Sequence, residues 1–247
     1  MPTAILSALP EEQHGLPEQL DGAQHVRYAA RDFHVGRWHG KPVVLALSRI
    51  GKVAAATTAT ALIERFGVQR IVFTGVAGGL HEDVKVGDTV IATEFLQHDM
   101  DASPLFPRHE VPLYGCSRFA ADEDLVCLLS IAANAASTGL FDTAVRARFK
   151  LDGPRVHRGL LISGDRFVSA AREALTLQRD LPDALAVDME GAAVAQVCHD
   201  YGIPFAAVRN ISDRADDTAH VDFPAYLSQV AGKQARALIS ALIPLLN

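Results

Sequence analysis

The chain carries only three cysteines in 247 residues, Cys116, Cys127 and Cys198. Their spacing fits no zinc-ligand pattern, and an odd count excludes a fully paired disulfide framework, so a reducing compartment is expected. Cys198 falls inside an apolar helical pattern and reads as core. Positive charge is scarce as well: 23 Lys and Arg against 29 Asp and Glu leave a net charge of -6. Those cations are scattered rather than gathered in a stripe, which argues against a nucleic-acid partner. No apolar run approaches the roughly 18 residues a membrane helix needs, and no membrane partner is expected. The start, Met-Pro-Thr-Ala-Ile-Leu-Ser-Ala, has neither a charged n-region nor a long h-region, so a cytoplasmic protein is expected. Internal repeats and low-complexity tracts are absent.

Apolar material, by contrast, is abundant: 49% of the residues are hydrophobic. A chain of this length can then bury one large core, and a single domain over residues 1–247 is expected. Apolar strand-like runs alternate with helical stretches, which is an α/β pattern. Ala4–Ala8 reads as a strand, with Pro10 in the first turn of a helix behind it. His25–His34 and Arg37–Leu47 read as a β-meander with Gly40-Lys41-Pro42 as its turn. A purely parallel sheet is therefore disfavoured, and a mixed one is expected. Ser48 to Phe66 passes through Gly51 into an Ala-rich helix, whose first N–H groups could hold an anion. Arg70 to Leu80 is a buried strand entering a Gly-rich loop; Gly75, Gly78 and Gly79 let backbone approach a ligand closely. That loop matches neither the dinucleotide fingerprint nor the Walker pattern.

Later segments follow the same grammar. Thr89–His98 is a strand and Pro104–Gly115 an irregular loop, followed by a helix at about Asp122–Ala136 and a link of mixed charge, Ser137–Pro154. His98, Asp99 and Asp101 lack a second ligand set, which favours a hydrogen-bonded loop over a metal site. Val156–Ser163 is a further buried strand, and Phe167 just beyond it is either a core aromatic or a platform for a flat heterocycle. Val221–Leu246 carries apolar residues at helical intervals.

The chain is organised around Leu185 to Asp213: strand, helix, Gly-Ile-Pro turn, strand. Glu190 falls where the first strand hands over to the helix, and Asp213 just past the second strand, on the side where open α/β sheets place ligands. Each has an ordinary reading: Asp213 as a cap and Arg209 as an ion-pair partner. Glu11 and Glu12 likewise suit the positive end of a helix. The alternative is that Glu12 shares a crevice with Asp213, which would follow if their two strands were neighbours.

A set of motifs in order carries a resemblance. Ala8-Leu-Pro-Glu-Glu12, Ile50-Gly-Lys-Val-Ala-Ala, Thr74-Gly-Val-Ala-Gly-Gly, Lys85-Val-Gly-Asp, Ser163-Gly-Asp-Arg-Phe, Val187-Asp-Met-Glu-Gly-Ala-Ala and Val208-Arg-Asn-Ile-Ser-Asp213 together resemble the methylthioadenosine/S-adenosylhomocysteine nucleosidases of the nucleoside phosphorylase superfamily. The likeness runs from near residue 4 to about residue 230 and is weakest at Gln97–Gly153. It implies a phosphorylase-like three-layer α/β/α fold with a central mixed, partly barrel-like sheet. It also implies hydrolysis of the N-glycosidic bond of an adenosine bearing a 5′-thioether. On this resemblance Asp213 is the general acid at adenine N7, oriented by Ser212, and Glu12 activates water with Arg209 tuning it. Glu190 and Met189 hold the ribose; Phe167 and Val168 hold adenine; Ile50 and Phe223 line the 5′ pocket; Ala77 and Gly78 line the substrate site. Members are usually homodimers and need no metal or organic cofactor.

The residue types suit that chemistry. Breaking a nucleoside C1′–N9 bond builds positive charge on ribose and negative charge on the base, so an acid at the base and carboxylates at the sugar lower one barrier. Asp213 must be protonated and Glu12 ionised, the opposed demands of an acid/base pair. This chain departs from the common pattern at Leu9-Pro10, at Val76 where many members carry Ser, and at Arg49 where Gly is usual. The segment Ser137–Arg155 is longer than usual. Hydrolysis of another adenosine derivative (aminodeoxyfutalosine, 5′-deoxyadenosine), a phosphate-dependent phosphorylase and a nucleoside-binding sensor are the competing readings.

Overall fold

The computed structural model describes residues 1–136, 140–149, 151, 153–216 and 219–247, and of 219–222 the backbone alone. The chain opens with β1 (Thr3–Ser7), every residue of which is buried, and a single 3-10 turn at Pro10–Gln13. A meander follows: β2 (Asp21–Tyr28), β3 (Arg31–Trp38) and β4 (Lys41–Leu47). Its second turn sits at His39 and Gly40, both at positive φ, so Lys41 and Pro42 belong to β4 rather than to the turn. Helix α1 (Lys52–Phe66) ends at Gly67, whose left-handed φ of 60° lets its N–H reach back to the last carbonyls.

Next, β5 spans Arg70–Gly79, so the three glycines expected in a loop are strand residues. β6 (Thr89–Gln97), β7 (Arg118–Ala120), α2 (Glu123–Ala136), α3 (Thr143–Phe149) and β8 (Val156–Ser163) continue the chain. The segment from Ser137 to Pro154 is thus more than a link, since it holds α3, whose Phe149 packs edge-on against Tyr226. Residues 137–139, 150 and 152 of that segment lie outside the described residues. The last third comprises α4 (Ala171–Asp180), β9 (Ala184–Asp188), α5 (Gly191–Tyr201), β10 (Phe205–Asp213), α6 (Ala219–Tyr226) and, after one π turn at Leu227–Ala231, α7 (Gly232–Leu242).

The strands form one mixed sheet ordered β10-β6-β8-β9-β5-β1-β4-β3-β2, with β7 on β6. Because β10 also pairs with β5, the five strands β10, β6, β8, β9 and β5 close on themselves, and the expected partly barrel-like sheet is present. The helices pack outside it, α1 against α5 and α2 against α7. The core joins both: Ile5, Leu6, Phe73, Ile91, Phe95, Val208 and Ile211 from strands meet Leu62, Leu129, Val194 and Ile239 from helices. At about 25 cal/mol per Å² of apolar surface, a core of this extent is what holds a closed barrel against its entropy.

One expectation changes. β1 and β10 are not neighbours; both pair in parallel with β5, which stands between them. The parallel register nonetheless brings the C-terminal ends of all three to the same edge, and Glu12 and Asp213 arrive in one place from two strands apart.

Candidate active site

That edge opens into a cavity of about 320 Å³. Glu12, Ile50, Ala77, Gly78, Phe167, Val168, Met189, Glu190, Ser212, Asp213 and Phe223 all line it. Arg209 does not: its side chain is fully buried behind the wall. Val187, Asp188, Arg166, Val76, Ala8 and Leu9 complete the lining.

Glu12 sits in the 3-10 turn, and its side chain is turned inward instead of complementing a helix dipole. Its Oε2 accepts the Ala8 and Leu9 N–H groups at 2.7 and 2.9 Å, and its Oε1 accepts Val76 N–H at 2.9 Å. The third bond comes from β5, and room for it exists because residue 75 is glycine. A Cβ there would stand 2.7 Å from Oε1. Burial raises the Glu12 pKa above the usual carboxylate value, against the pull of the Arg209 charge and the three N–H donors. A carboxylate poised higher than usual is better suited to accept a proton near neutral pH.

Asp213 is the last residue of β10, one position further into the strand than expected, and the register with β5 slips between Ile211 and Asp213. Ser212 Oγ donates to Asp213 Oδ2 at 2.7 Å, while Oδ1 accepts Ala215 N–H at 2.8 Å. The local capping role is thus real, and it holds the carboxyl rigidly. A hydroxyl can both donate and accept, so Ser212 can accompany either protonation state of its neighbour. Gly78 makes this approach possible in turn: a Cβ there would meet Asp213 Oδ1 at 3.1 Å and Ala215 Cβ at 2.9 Å. Gly75 and Gly78 thus make room for the protein's own carboxylates.

Glu190 stands at the start of α5, with Oε1 accepting Gly51 N–H at 2.9 Å. Lys52 N–H is taken by Asp165 Oδ1 at 2.8 Å, so the start of α1 holds two carboxylates of the chain rather than an external anion. Burial first, then the nearby Asp188 charge, push Glu190 up to about 8. Asp188 is a cavity-lining residue that sequence reasoning passed over, although it lies within the quoted Val187-Asp-Met-Glu motif. Its Oδ2 takes Arg209 Nε and Nη2 at 3.0 and 2.8 Å; its Oδ1 takes Ser163 Oγ at 2.5 Å. Ser163 Oγ in turn accepts Ala192 N–H at 2.8 Å. The ordinary ion-pair reading of Arg209 holds, and its guanidinium also lies 4.0 Å from the Phe73 ring centre. A buried Asp two residues before a pocket Glu was the signal available.

The aromatic side of the cavity is open. Phe167 is 43% exposed and stands edge-on to Phe223, ring centres 5.3 Å apart, so it is not a core aromatic. Ile50 is half exposed at the rim. Arg49 turns away and donates to Ala30 in the meander turn. His98, Asp99 and Asp101 do not line the cavity: Asp99 accepts Lys52 Nζ at 2.6 Å and Asp165 N–H at 2.9 Å, and Asp101 accepts Ser103 Oγ at 2.5 Å. Among the described residues no group of three or more His, Cys, Asp or Glu is placed to hold a metal ion, and no helix is long and apolar enough to cross a membrane.

A closed mixed barrel with carboxylates gathered at one strand edge defines a class before it defines a substrate. The chain belongs to the phosphorylase superfamily, whose family model matches residues 2–244. The likeness to the methylthioadenosine/S-adenosylhomocysteine nucleosidases within it is borne out by solved structures. The Neisseria meningitidis 5′-methylthioadenosine/S-adenosylhomocysteine nucleosidase, in complex with methylthio-immucillin-A, is 33% identical over 99% of both chains, with a TM-score of 0.87. The S. pneumoniae 5′-methylthioadenosine/S-adenosylhomocysteine nucleosidase, with the transition-state inhibitor MT-ImmA, is 30% identical over the whole of both chains, with a TM-score of 0.86. The Helicobacter pylori futalosine hydrolase is 33% identical over 100% of this chain and 98% of its own, with a TM-score of 0.85.

Proposed function

We propose that the protein is a nucleoside hydrolase that cleaves the N-glycosidic bond of 5′-methylthioadenosine or S-adenosylhomocysteine, releasing adenine and the 5′-thioribose. The carrying observation is that Glu12, Glu190 and Asp213 line one cavity while the nearest buried cation, Arg209, is committed to Asp188. In this mechanism Asp213, steadied by Ser212, donates a proton to N7 as electron density flows into the base. Glu12 takes a proton from water as that water bonds to C1′. Glu190 holds the ribose hydroxyls with Met189 beneath the sugar, Phe167 and Val168 hold the base, and Ile50 and Phe223 receive the 5′ substituent. Arg209 acts on Glu12 through space from behind the wall. Acid–base assistance of this kind is worth about 10² to 10⁴ in rate. No cofactor takes part, and we expect a homodimer, as in the resemblance.

The likeness to a futalosine hydrolase supports a second reading, hydrolysis of a futalosine-type nucleoside by the same chemistry. A phosphorylase reading is weaker, since phosphate beside Glu12 would meet a carboxylate, and the one cation among the described lining residues, Arg166, has Glu173 as its partner. The test is adenine release from 5′-methylthioadenosine in phosphate-free buffer by the wild type, Asp213→Asn and Glu12→Gln. Release by the wild type and loss of about 10² or more in each variant are expected. Dependence on phosphate, with ribose 1-phosphate as product, would overturn the reading.

A further inference from the structure

Among the described residues that line the cavity, Arg166 is the one cation, set against four carboxylates. It occupies the loop after β8, between Asp165 and Phe167. Asp165 ties that loop to the start of α1 through Lys52 N–H, beside Ile50, and Phe167 faces Phe223. Arg166 therefore rides at the rim near the two residues proposed to receive the 5′ substituent, away from the buried end at Asp213.

Its guanidinium is lightly held. The ionic partner is Glu173 on α4, with Nη2 and Oε2 3.4 Å apart in a single contact, and the Arg166 side chain is 75% exposed. A lone exposed pair of this kind contributes little, so the guanidinium can turn toward a ligand at small cost. Its planar fork matches a carboxylate with two parallel hydrogen bonds, which a lysine could not do. Deeper in the cavity an anion would meet the carboxyl groups of Glu12, Glu190 and Asp213 and, among the described lining residues, no cation. An anionic group is acceptable only at the mouth, at the far end of a 5′ arm.

We infer that Arg166 makes the cavity mouth a carboxylate subsite, so that the preferred nucleoside carries a 5′ arm ending in a carboxylate. The inference deepens the nucleosidase reading and rests on it for the direction in which the nucleoside lies. Two arms share this chemistry, an aliphatic amino-acid arm and an aryl carboxylate. Because the contact lies far from the breaking bond, it acts on KM more than on kcat.

The test uses 5′-thioadenosines with aliphatic arms of equal length ending in a carboxylate or a carboxamide, plus an aryl carboxylate and its amide. For each pair the ratio of kcat/KM is measured in the wild type, Arg166→Gln and Arg166→Glu. The wild type should favour the carboxylate by about tenfold or more in at least one pair, and the pair that does so identifies the arm. The ratio should fall to about 1 in Arg166→Gln and invert in Arg166→Glu. Ratios that are the same in all three proteins would overturn the inference. Dissociation constants of the same pairs, measured by calorimetry on Asp213→Asn with and without Arg166→Gln, separate the two levels of the argument. A charge preference that depends on Arg166 in binding, without hydrolysis by the wild type, would sink the nucleosidase reading and leave the subsite standing.

Discussion

Replacing Gly75 by Ala tests whether the glycines of β5 exist to make room for Glu12. The backbone at residue 75 is ordinary strand, so alanine carries no dihedral penalty. The added Cβ would stand 2.7 Å from Oε1 and 3.0 Å from Cδ of Glu12. Ordinary contact begins at 3.4 Å, so the carboxylate must retreat by about 0.7 Å. It cannot do so freely, because Ala8 and Leu9 hold Oε2 while Val76 holds Oε1. The 2.9 Å bond from Val76 is the one that gives. Overpacking of this kind costs about 1–3 kcal/mol, or about 2–10 °C in Tm for a chain of this size. A displacement approaching 1 Å in a group that positions water costs about 10²-fold in rate. Adenine release from 5′-methylthioadenosine, read beside a thermal melt, should show both effects. Pairing the change with Glu12→Ala decides the cause: once the side chain is gone, Gly75→Ala should add almost nothing to the loss in kcat/KM and should recover its Tm. Wild-type kcat/KM in Gly75→Ala, or a loss that adds in full to that of Glu12→Ala, would refute the argument.

Three further outcomes are expected. Glu190 has a folded-state pKa of about 8, above its unfolded value near 4.5, so the unfolded chain gives up this proton first as pH rises. Its penalty on stability therefore grows between about pH 4.5 and 8 and is absent below. A series of melts across that range should slope downward in the wild type and less steeply in Glu190→Gln; equal slopes would contradict the assignment. Asp188→Ala strips the buried Arg209 of its counter-charge and should destabilise by about 3–5 kcal/mol in denaturant unfolding, whereas a loss below about 1 kcal/mol would mean that Arg209 finds other support. Phe167→Ala removes a half-exposed ring, so Tm should move by only a degree or two while KM for the nucleoside rises about tenfold; an unchanged KM would remove Phe167 from the base-binding wall.

The sequence spoke clearly where its signal is local. Apolar runs with Gly or Pro at their ends located β1, β5, β6, β8 and β10, and Gly67 and Gly202 close α1 and α5 with the left-handed geometry that glycine permits. Short or polar elements escaped: β7 has three residues, and α4, although amphipathic, turns only Ala174 and Leu177 to the core. Barrel closure was also beyond local reading, because the pairing of β10 with both β5 and β6 is a property of curvature rather than of any strand's composition. Eleven of the twelve anticipated site residues line the cavity, chiefly because the motif resemblance fixed them as a set. The twelfth, Arg209, was placed by its charge, and charge alone does not say which side of a wall a side chain occupies. Asp188 escaped although it stands two residues before Glu190, because its partner lies 21 residues away in sequence and nothing local announces the pair.

The arrangement of charge behind the cavity gives the two raised carboxylates different work. Arg209 is the buried cation, and Asp188 neutralises it by direct contact, so it reaches Glu12 and Glu190 only through space. Glu12 adds three backbone donors to that pull. Glu190 has one such donor, from Gly51, and faces the like charge of Asp188. Burial raises both carboxylates, and for Glu190 the like charge of Asp188 is the next cause. In the proposed reaction Glu190, when protonated, is able to donate to, as well as accept from, a ribose hydroxyl. Without Asp188 the repulsion that raises Glu190 would vanish and Arg209 would act on both carboxylates at full strength. A phosphate nucleophile would need a free cation where this wall offers a carboxylate. In the proposed reaction the carboxylate that takes a proton from water is thus also the group that disfavours phosphorolysis.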